Sequence, residues 1–210
     1  MTTVLRWSFA GLITALLGAA AHADTIDMSG LPHERCARCH GLDGNSAMPR
    51  FPRLAGQSPA YVKKQLADFR GGRRTNDEGG MSGIADTLSE GDINAVALYF
   101  AAQVPRAMGG GAGGDMADVT IGRRIYFKGR PGVAACVDCH GAALLRAAGA
   151  PLIAGQHADY LRKQLLDFKR GARRNDADGV MRRIAATLSS HEIRALAAAV
   201  SGTAAPTADR

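Results

Sequence analysis

Cysteine and histidine are the residues whose spacing carries chemistry in this chain. Cys36-Ala37-Arg38-Cys39-His40 and Cys136-Val137-Asp138-Cys139-His140 both read Cys-x-x-Cys-His. At that spacing two thiols can form thioethers to a porphyrin edge while the histidine that follows reaches the iron on the same face. The two motifs use all four cysteines of the chain. They predict two covalently bound haem c groups attached through Cys36, Cys39, Cys136 and Cys139, with His40 and His140 as iron ligands. Paired cysteines also serve redox disulfides and zinc ribbons. Neither use needs a histidine directly after both second cysteines, and a ribbon places its pairs within about 20 residues of each other. The flanking stretches read as helical, without the strand alternation of a thioredoxin fold.

Methionine supplies the candidate sixth ligand. Met81 lies 41 residues after His40, and Met181 lies 41 residues after His140. That symmetry selects Met81 over Met48, which is read as a core filler, and thioether sulfur is a suitable soft donor to haem iron. The metal ligands expected are therefore His40, Met81, His140 and Met181.

The elements that must position these side chains come as a repeat. Leu54-Ala55-Gly56-Gln57 recurs as Ile153-Ala154-Gly155-Gln156, and Tyr61-Val62-Lys63-Lys64-Gln65-Leu66 as Tyr160-Leu161-Arg162-Lys163-Gln164-Leu165. Asp68-Phe69, Asn76-Asp77 and Thr87-Leu88-Ser89 return as Asp167-Phe168, Asn175-Asp176 and Thr187-Leu188-Ser189. The expected organisation is a secretory signal over 1–23, a first haem domain over 24–104, a glycine-rich linker over 105–118 and a second haem domain over 119–210. The signal rests on Arg6, the apolar run from Phe9 to Ala21 and the A-x-A site Ala21-His22-Ala23; retention as an anchor is the alternative, although the run is short for a bilayer span of roughly 20 residues.

Helices account for every periodic segment. Ser58 and Pro59 open one that runs to about Arg70. Ser89-Glu90-Gly91-Asp92 and Ser189-Ser190-His191-Glu192 start terminal helices ending near Gln103 and Ser201. Gly122 to Lys128 closes an N-terminal helix of the second domain. The fold class is all-α, with each small domain wrapped around its haem. Aromatics make up only 5% of the chain, so the haem must supply much of each core and the haem-free chain is expected to be largely unfolded.

These residues resemble the class I c-type cytochromes, and among them the dihaem cytochrome c4 group, over nearly the whole mature chain. The resemblance implies His/Met ligation, a periplasmic location where c-type haem is attached, and an electron-carrier role. It also rests on Pro52-Arg53-Leu54-Ala55-Gly56 and, with isoleucine substituted, Pro151-Leu152-Ile153-Ala154-Gly155. In such proteins the proline carbonyl accepts the proton of the ligand histidine's other nitrogen, a role that falls here to Pro52 and Pro151. Two departures stand out. The first domain lacks the Gly-x-x-x-Tyr-Phe pattern at Gly122, Tyr126 and Phe127, and Leu98 and Tyr99 stand where the second has Ala198 and Ala199. Either lobe can be expected to lean on its neighbour.

The net charge of +7 is unevenly shared. Residues 24–104 hold 9 Lys/Arg against 10 Asp/Glu, and residues 119–210 hold 15 against 7. A basic lobe can steer docking onto an acidic redox partner. Arg182 and Arg183 beside Met181 predict the higher potential for the second haem. Tyr61, Tyr160, Phe69 and Phe168 are read as core or haem-edge residues, and Arg73, Arg74, Arg173 and Arg174 as propionate partners or loop residues. His33, His157 and His191 are read as surface or capping residues. The function expected is that of an electron-transfer protein, not an enzyme: a periplasmic dihaem carrier between a quinol-oxidising complex and a terminal oxidase or other acceptor. A dihaem subunit of a periplasmic dehydrogenase and a dihaem peroxidase are the alternatives. Partners are redox proteins, with peripheral membrane association left open and no nucleic acid.

Overall fold

The computed structural model describes residues 30–106, 115–141 and 149–205. The proposed signal and most of the proposed linker lie outside the described residues. Nine α-helices are found among the described residues, with no strand beyond a single bridge between Arg130 and Val133. The first lobe contains α1 (Glu34–His40), α2 (Pro59–Arg70), α3 (Gly80–Asp86) and α4 (Glu90–Ala102). The second contains α5 (Met116–Lys128), α6 (Val137–His140), α7 (Ala158–Arg170), α8 (Val180–Thr187) and α9 (Ser190–Ser201). Helix α5 starts at Met116 with the Asp115 side chain accepting from the Ala117 amide, so the second lobe begins inside the segment assigned to the linker.

Local chemistry explains the boundaries. Both α4 and α9 open on a full capping box: the hydroxyls of Ser89 and Ser189 accept from the Asp92 and Glu192 amides, and the Asp92 and Glu192 carboxylates accept in turn from the serine amides. Two orphan donors per helix are thereby satisfied. Pro59 occupies the first turn of α2, where its missing N–H costs nothing.

Each lobe closes around its own core. Phe100, Val96, Ile93 and Leu88 from the α3–α4 side meet Val62, Leu66 and Phe69 of α2, with Cys36 of the haem motif among them. In the second lobe Ile193, Leu196 and Val200 meet Leu161, Leu188, Ile125 and Tyr126, with Cys136 packed against them. The repeat is thus also a repeat of packing, and in both lobes a cysteine of the motif borders the core. Met48 is half-exposed and belongs to neither core, which corrects its reading as a filler.

The lobes differ at the first helix. Helix α5 crosses α9 so closely that a Cβ on Gly122 would stand 2.0 Å from the Ala195 carbonyl oxygen and 2.8 Å from the Ala199 Cβ. Small residues on α9 are what permit this crossing. In the first lobe Tyr99 replaces Ala199; its ring stacks on His33 at 3.6 Å and its hydroxyl donates to the Leu42 carbonyl. Leu98 is left exposed there.

The lobes dock on each other through contacts that occur twice, with the lobes exchanged. Arg74 donates to Gln65 at 2.7 Å within its own lobe and to the Tyr160 hydroxyl across the interface at 3.1 Å. Arg173 does the same to Gln164 at 2.8 Å and to Tyr61 at 3.2 Å. The Asn76 amide donates to Asp167, and that of Asn175 to Asp68, each at 2.7 Å. Each surface patch is therefore complementary to its own repeat, the property of a two-fold interface realised within one chain.

Candidate functional site: two cysteine–histidine–methionine centres

Helix α1 carries Cys36, Cys39 and His40, and α6 carries Cys139 and His140 with Cys136 at its N-cap position. Both imidazoles are buried. His40 Nδ1 lies 2.7 Å from the Pro52 carbonyl oxygen and His140 Nδ1 lies 2.9 Å from that of Pro151. Because a carbonyl only accepts, Nδ1 carries the proton in both rings, and Nε2 is the nitrogen left to act as a metal donor. Burial holds His40 below the ordinary imidazole value, outweighing the hydrogen bond to Pro52, so the ring is neutral as ligation requires.

Cys36 and Cys136 are neutral thiols. Burial, reinforced by the neighbouring Cys39, pushes Cys36 up to about 11, and burial likewise raises Cys136 to about 11. Such thiols are poor thiolate ligands and poor exchange nucleophiles. All four are free of disulfides. The donor set fits thioether attachment of a haem better than either a zinc site or a redox disulfide.

Met81 and Met181 each stand at the second position of a helix, α3 and α8, behind a turn of the same unusual shape. Glu78 and Gly79 have φ of 57° and 85°, and Asp178 and Gly179 have 52° and 68°. A non-glycine residue in the left-handed region followed by a left-handed glycine is strained, and the same strained turn precedes the methionine in both lobes. Both methionines are partly buried, and Met81 packs against the core that contains Cys36.

Charge differs between the two methionine turns. The Ser82 amide and hydroxyl donate to Asp77, whereas at the matching position of the second lobe Arg182 donates to Asp176 through both its amide and its Nε, the latter at 2.8 Å. Burial pushes both carboxyls up, but these hydrogen bonds outweigh it and hold both below the usual range.

Several repeated residues have a different place from the one their sequence suggests. Arg74 and Arg173 are buried in the lobe interface over the rings of Phe69 and Phe168, at 4.5 and 4.6 Å. The Tyr61 and Tyr160 hydroxyl oxygens accept from those guanidiniums, while Arg73 and Arg174 stay at the surface. His157, read as a surface or capping residue, is buried instead: it makes no side-chain cap and hydrogen-bonds through Nε2 to the Ser46 carbonyl of the other lobe at 2.9 Å. The matching position in the first lobe is Ser58, and that break in the repeat was the one signal that could have singled it out. His191 does remain at the surface, paired with Asp118.

Comparison with known proteins agrees with this geometry. Residues 28–100 match the family described as cytochrome C oxidase, cbb3-type, subunit III. The chain is 40% identical to cytochrome c4 of Pseudomonas aeruginosa over 91% of its own length and 95% of the relative. It is 36% identical to a protein of Stutzerimonas stutzeri described as a thiosulfate dehydrogenase electron acceptor, over 92% of this chain and 93% of that one. The crystal structure of reduced recombinant cytochrome c4 from Pseudomonas stutzeri superposes with a TM-score of 0.71 at 36% identity, covering 82% of this chain and 97% of that one.

Proposed function

The chain belongs to the cytochrome c4 family and carries two covalently bound c-type haems, and from that premise we propose that it is a periplasmic carrier moving single electrons from a quinol-oxidising complex to a terminal oxidase or other acceptor. We assign attachment to Cys36, Cys39, Cys136 and Cys139, and iron ligation to His40 with Met81 and to His140 with Met181. The observation that carries this reading is the twofold recurrence of one arrangement: a Cys-x-x-Cys-His helix whose histidine is held by a proline carbonyl, and a methionine that follows a strained left-handed turn at the start of a later helix.

When bound, each haem supplies a reversible one-electron Fe(III)/Fe(II) couple. The chain's own residues set how that couple behaves. The Pro52 and Pro151 carbonyls fix the ring planes and raise the basicity of the imidazoles, which favours the oxidised state. With Met81 and Met181 as ligands beside the histidines, the irons would offer no open site to a substrate, which would favour electron transfer over bond chemistry. Export to the periplasm is supported by the signal-like residues 1–23, and no helix among the described residues is long and apolar enough to cross a membrane.

A second reading is favoured by one observation, the likeness to the thiosulfate dehydrogenase electron acceptor. In that reading the donor is a periplasmic dehydrogenase. Copurification of a large partner supports it, and fast reduction by a quinol-oxidising complex supports the first.

The ligand assignment is tested by quantifying haem in the purified oxidised protein and following the methionine-to-Fe(III) charge-transfer band in wild type, Met81→Ala and Met181→Ala. Two haems with the band halved in each variant are expected. A band untouched by either substitution would show that the ligand lies elsewhere, and an incomplete band in wild type would show an open iron and bring the peroxidase reading forward.

A further inference from the structure

Gln57 and Gln156 are repeated, buried, and not used by the function described above. Each reaches into the opposite lobe and binds the backbone there with both ends of its carboxamide. Gln57 Oε1 accepts from the Leu152 amide at 3.0 Å and its Nε2 donates to the Leu152 carbonyl at 2.6 Å. Gln156 Oε1 accepts from the Arg53 amide at 2.9 Å and its Nε2 donates to the Arg53 carbonyl at 3.0 Å.

The residues grasped are significant. Leu152 follows Pro151 and Arg53 follows Pro52, so the N–H that each glutamine holds belongs to the same peptide group as the carbonyl that holds the histidine of that lobe. The Pro151–Leu152 peptide is flanked by His140 at its oxygen, 2.9 Å away, and by Gln57 at its N–H. The Pro52–Arg53 peptide is flanked by His40 at 2.7 Å and by Gln156. Accepting from a peptide N–H pushes electron density onto its carbonyl oxygen, and hydrogen bonds in series through one peptide strengthen one another in a buried setting. A stronger acceptor at Nδ1–H makes the imidazole a more basic ligand, which stabilises Fe(III) and lowers the potential.

We propose that Gln57 and Gln156 are positioning residues that act across the interface, each tuning the histidine that would hold the haem of the opposite lobe. Docking of the lobes thereby contributes to both potentials, and each haem senses the other lobe through one carboxamide and one peptide. The two clamps are unequal: Gln156 Oε1 also accepts from the His157 amide at 3.0 Å, which divides its acceptor strength, whereas Leu152 is the one donor found for Gln57 Oε1 among the described residues. The stronger influence therefore runs from Gln57 to the haem of the second lobe.

This rests on the ligand assignment above, and the test separates the two. In the dihaem protein, potentials are measured by redox titration and assigned to lobes through the hyperfine-shifted haem resonances, for wild type, Gln57→Met and Gln156→Met. Methionine keeps the length of the side chain and removes both hydrogen bonds. Gln57→Met is expected to raise the potential of the second-lobe haem by up to a tenfold change in its one-electron equilibrium, about 59 mV, and to leave the first-lobe haem within about twofold. Gln156→Met is expected to shift the first-lobe haem, by less. Gln57→Glu, which keeps the acceptor oxygen, should not raise the second-lobe potential and serves if the methionine variant fails to fold. Shifts in the glutamine's own lobe, equal shifts in both, or none, overturn the proposal while the wild-type charge-transfer band stays complete. An incomplete wild-type band overturns the ligand assignment and the proposal with it.

Discussion

Two exchanges at the methionine turns, Ser82 for Arg182 and Gly83 for Arg183, distinguish the lobes. Ser82 and Arg182 occupy matching positions and bind matching aspartates, so the first centre has a carboxylate bound by neutral donors and the second has a carboxylate paired with a guanidinium. Net negative charge near an iron stabilises the oxidised state. The higher potential proposed for the second haem, expected from the sequence because Arg182 and Arg183 add positive charge, takes a more specific form here: Asp176 is paired with Arg182 at 2.8 Å, whereas Asp77 is bound by the neutral Ser82. Arg182→Ser is expected to lower the second-lobe potential and Ser82→Arg to raise the first, each by no more than about 59 mV, the one-electron equivalent of tenfold. Lobe-resolved redox titration checks both; an unchanged second-lobe potential in Arg182→Ser would remove this pair from the account.

Among the helices, the first crossing is where the lobes depart from each other. The sequence pattern Gly122-x-x-x-Tyr126-Phe127 identified a helix, and its N-terminal half became visible only with Asp115 acting as cap. Gly122 is required there for space and not for backbone freedom, because the Ala195 carbonyl occupies the place of a Cβ. Gly122→Ala is expected to cost about 1–3 kcal/mol through overpacking. Denaturation followed at the second-lobe haem should show the loss, while the first lobe, whose described residues include no such crossing, unfolds as before. Ala199, which looked like a departure from the pattern, is its counterpart: with Ala195 it meets Gly122, and a small residue on each helix lets the backbones approach.

At the level of the whole molecule, the interface joins the redox centres and carries a pH dependence. His157 is pushed below its ordinary value by burial, against the opposing hydrogen bond to Ser46 and with the Arg53 charge adding to the effect; Asp159 pulls the other way. Its folded value is thus lower than the unfolded value of about 6.5. The unfolded chain takes up the proton first, so the stability due to the neutral ring is complete above about 6.5 and declines as pH falls below it, at no more than about 1.4 kcal/mol per pH unit. Asp68 and Asp167 add a later loss: burial raises them, hydrogen bonds from Lys64, Arg73 and Asn175 or from Lys163, Asn76 and Arg170 outweigh it, and both lie below the usual carboxylate range. Their contribution survives until pH falls below that range. Thermal denaturation of the holoprotein is expected to show wild type weakening between pH 6.5 and 5 and His157→Gln holding flat there; parallel curves would exclude His157 as the group responsible.

Taken alone, the sequence determined the two haem-attachment motifs at Cys36–His40 and Cys136–His140 and the caps that start α4 and α9, and its equal 41-residue intervals single out Met81 and Met181 as the proposed further ligands. These are local or strictly periodic features, and short-range geometry is written directly in residue order. The sequence also showed that Gln57, Tyr61, Gln65, Asp68, Arg74 and Asn76 recur. It could not show why, because a residue repeated for packing inside each lobe and one repeated for docking the lobes on each other leave the same trace in a duplicated chain. Only the tertiary structure decided that these side chains reach into the opposite lobe across a two-fold interface, where the same complementary pairs appear twice.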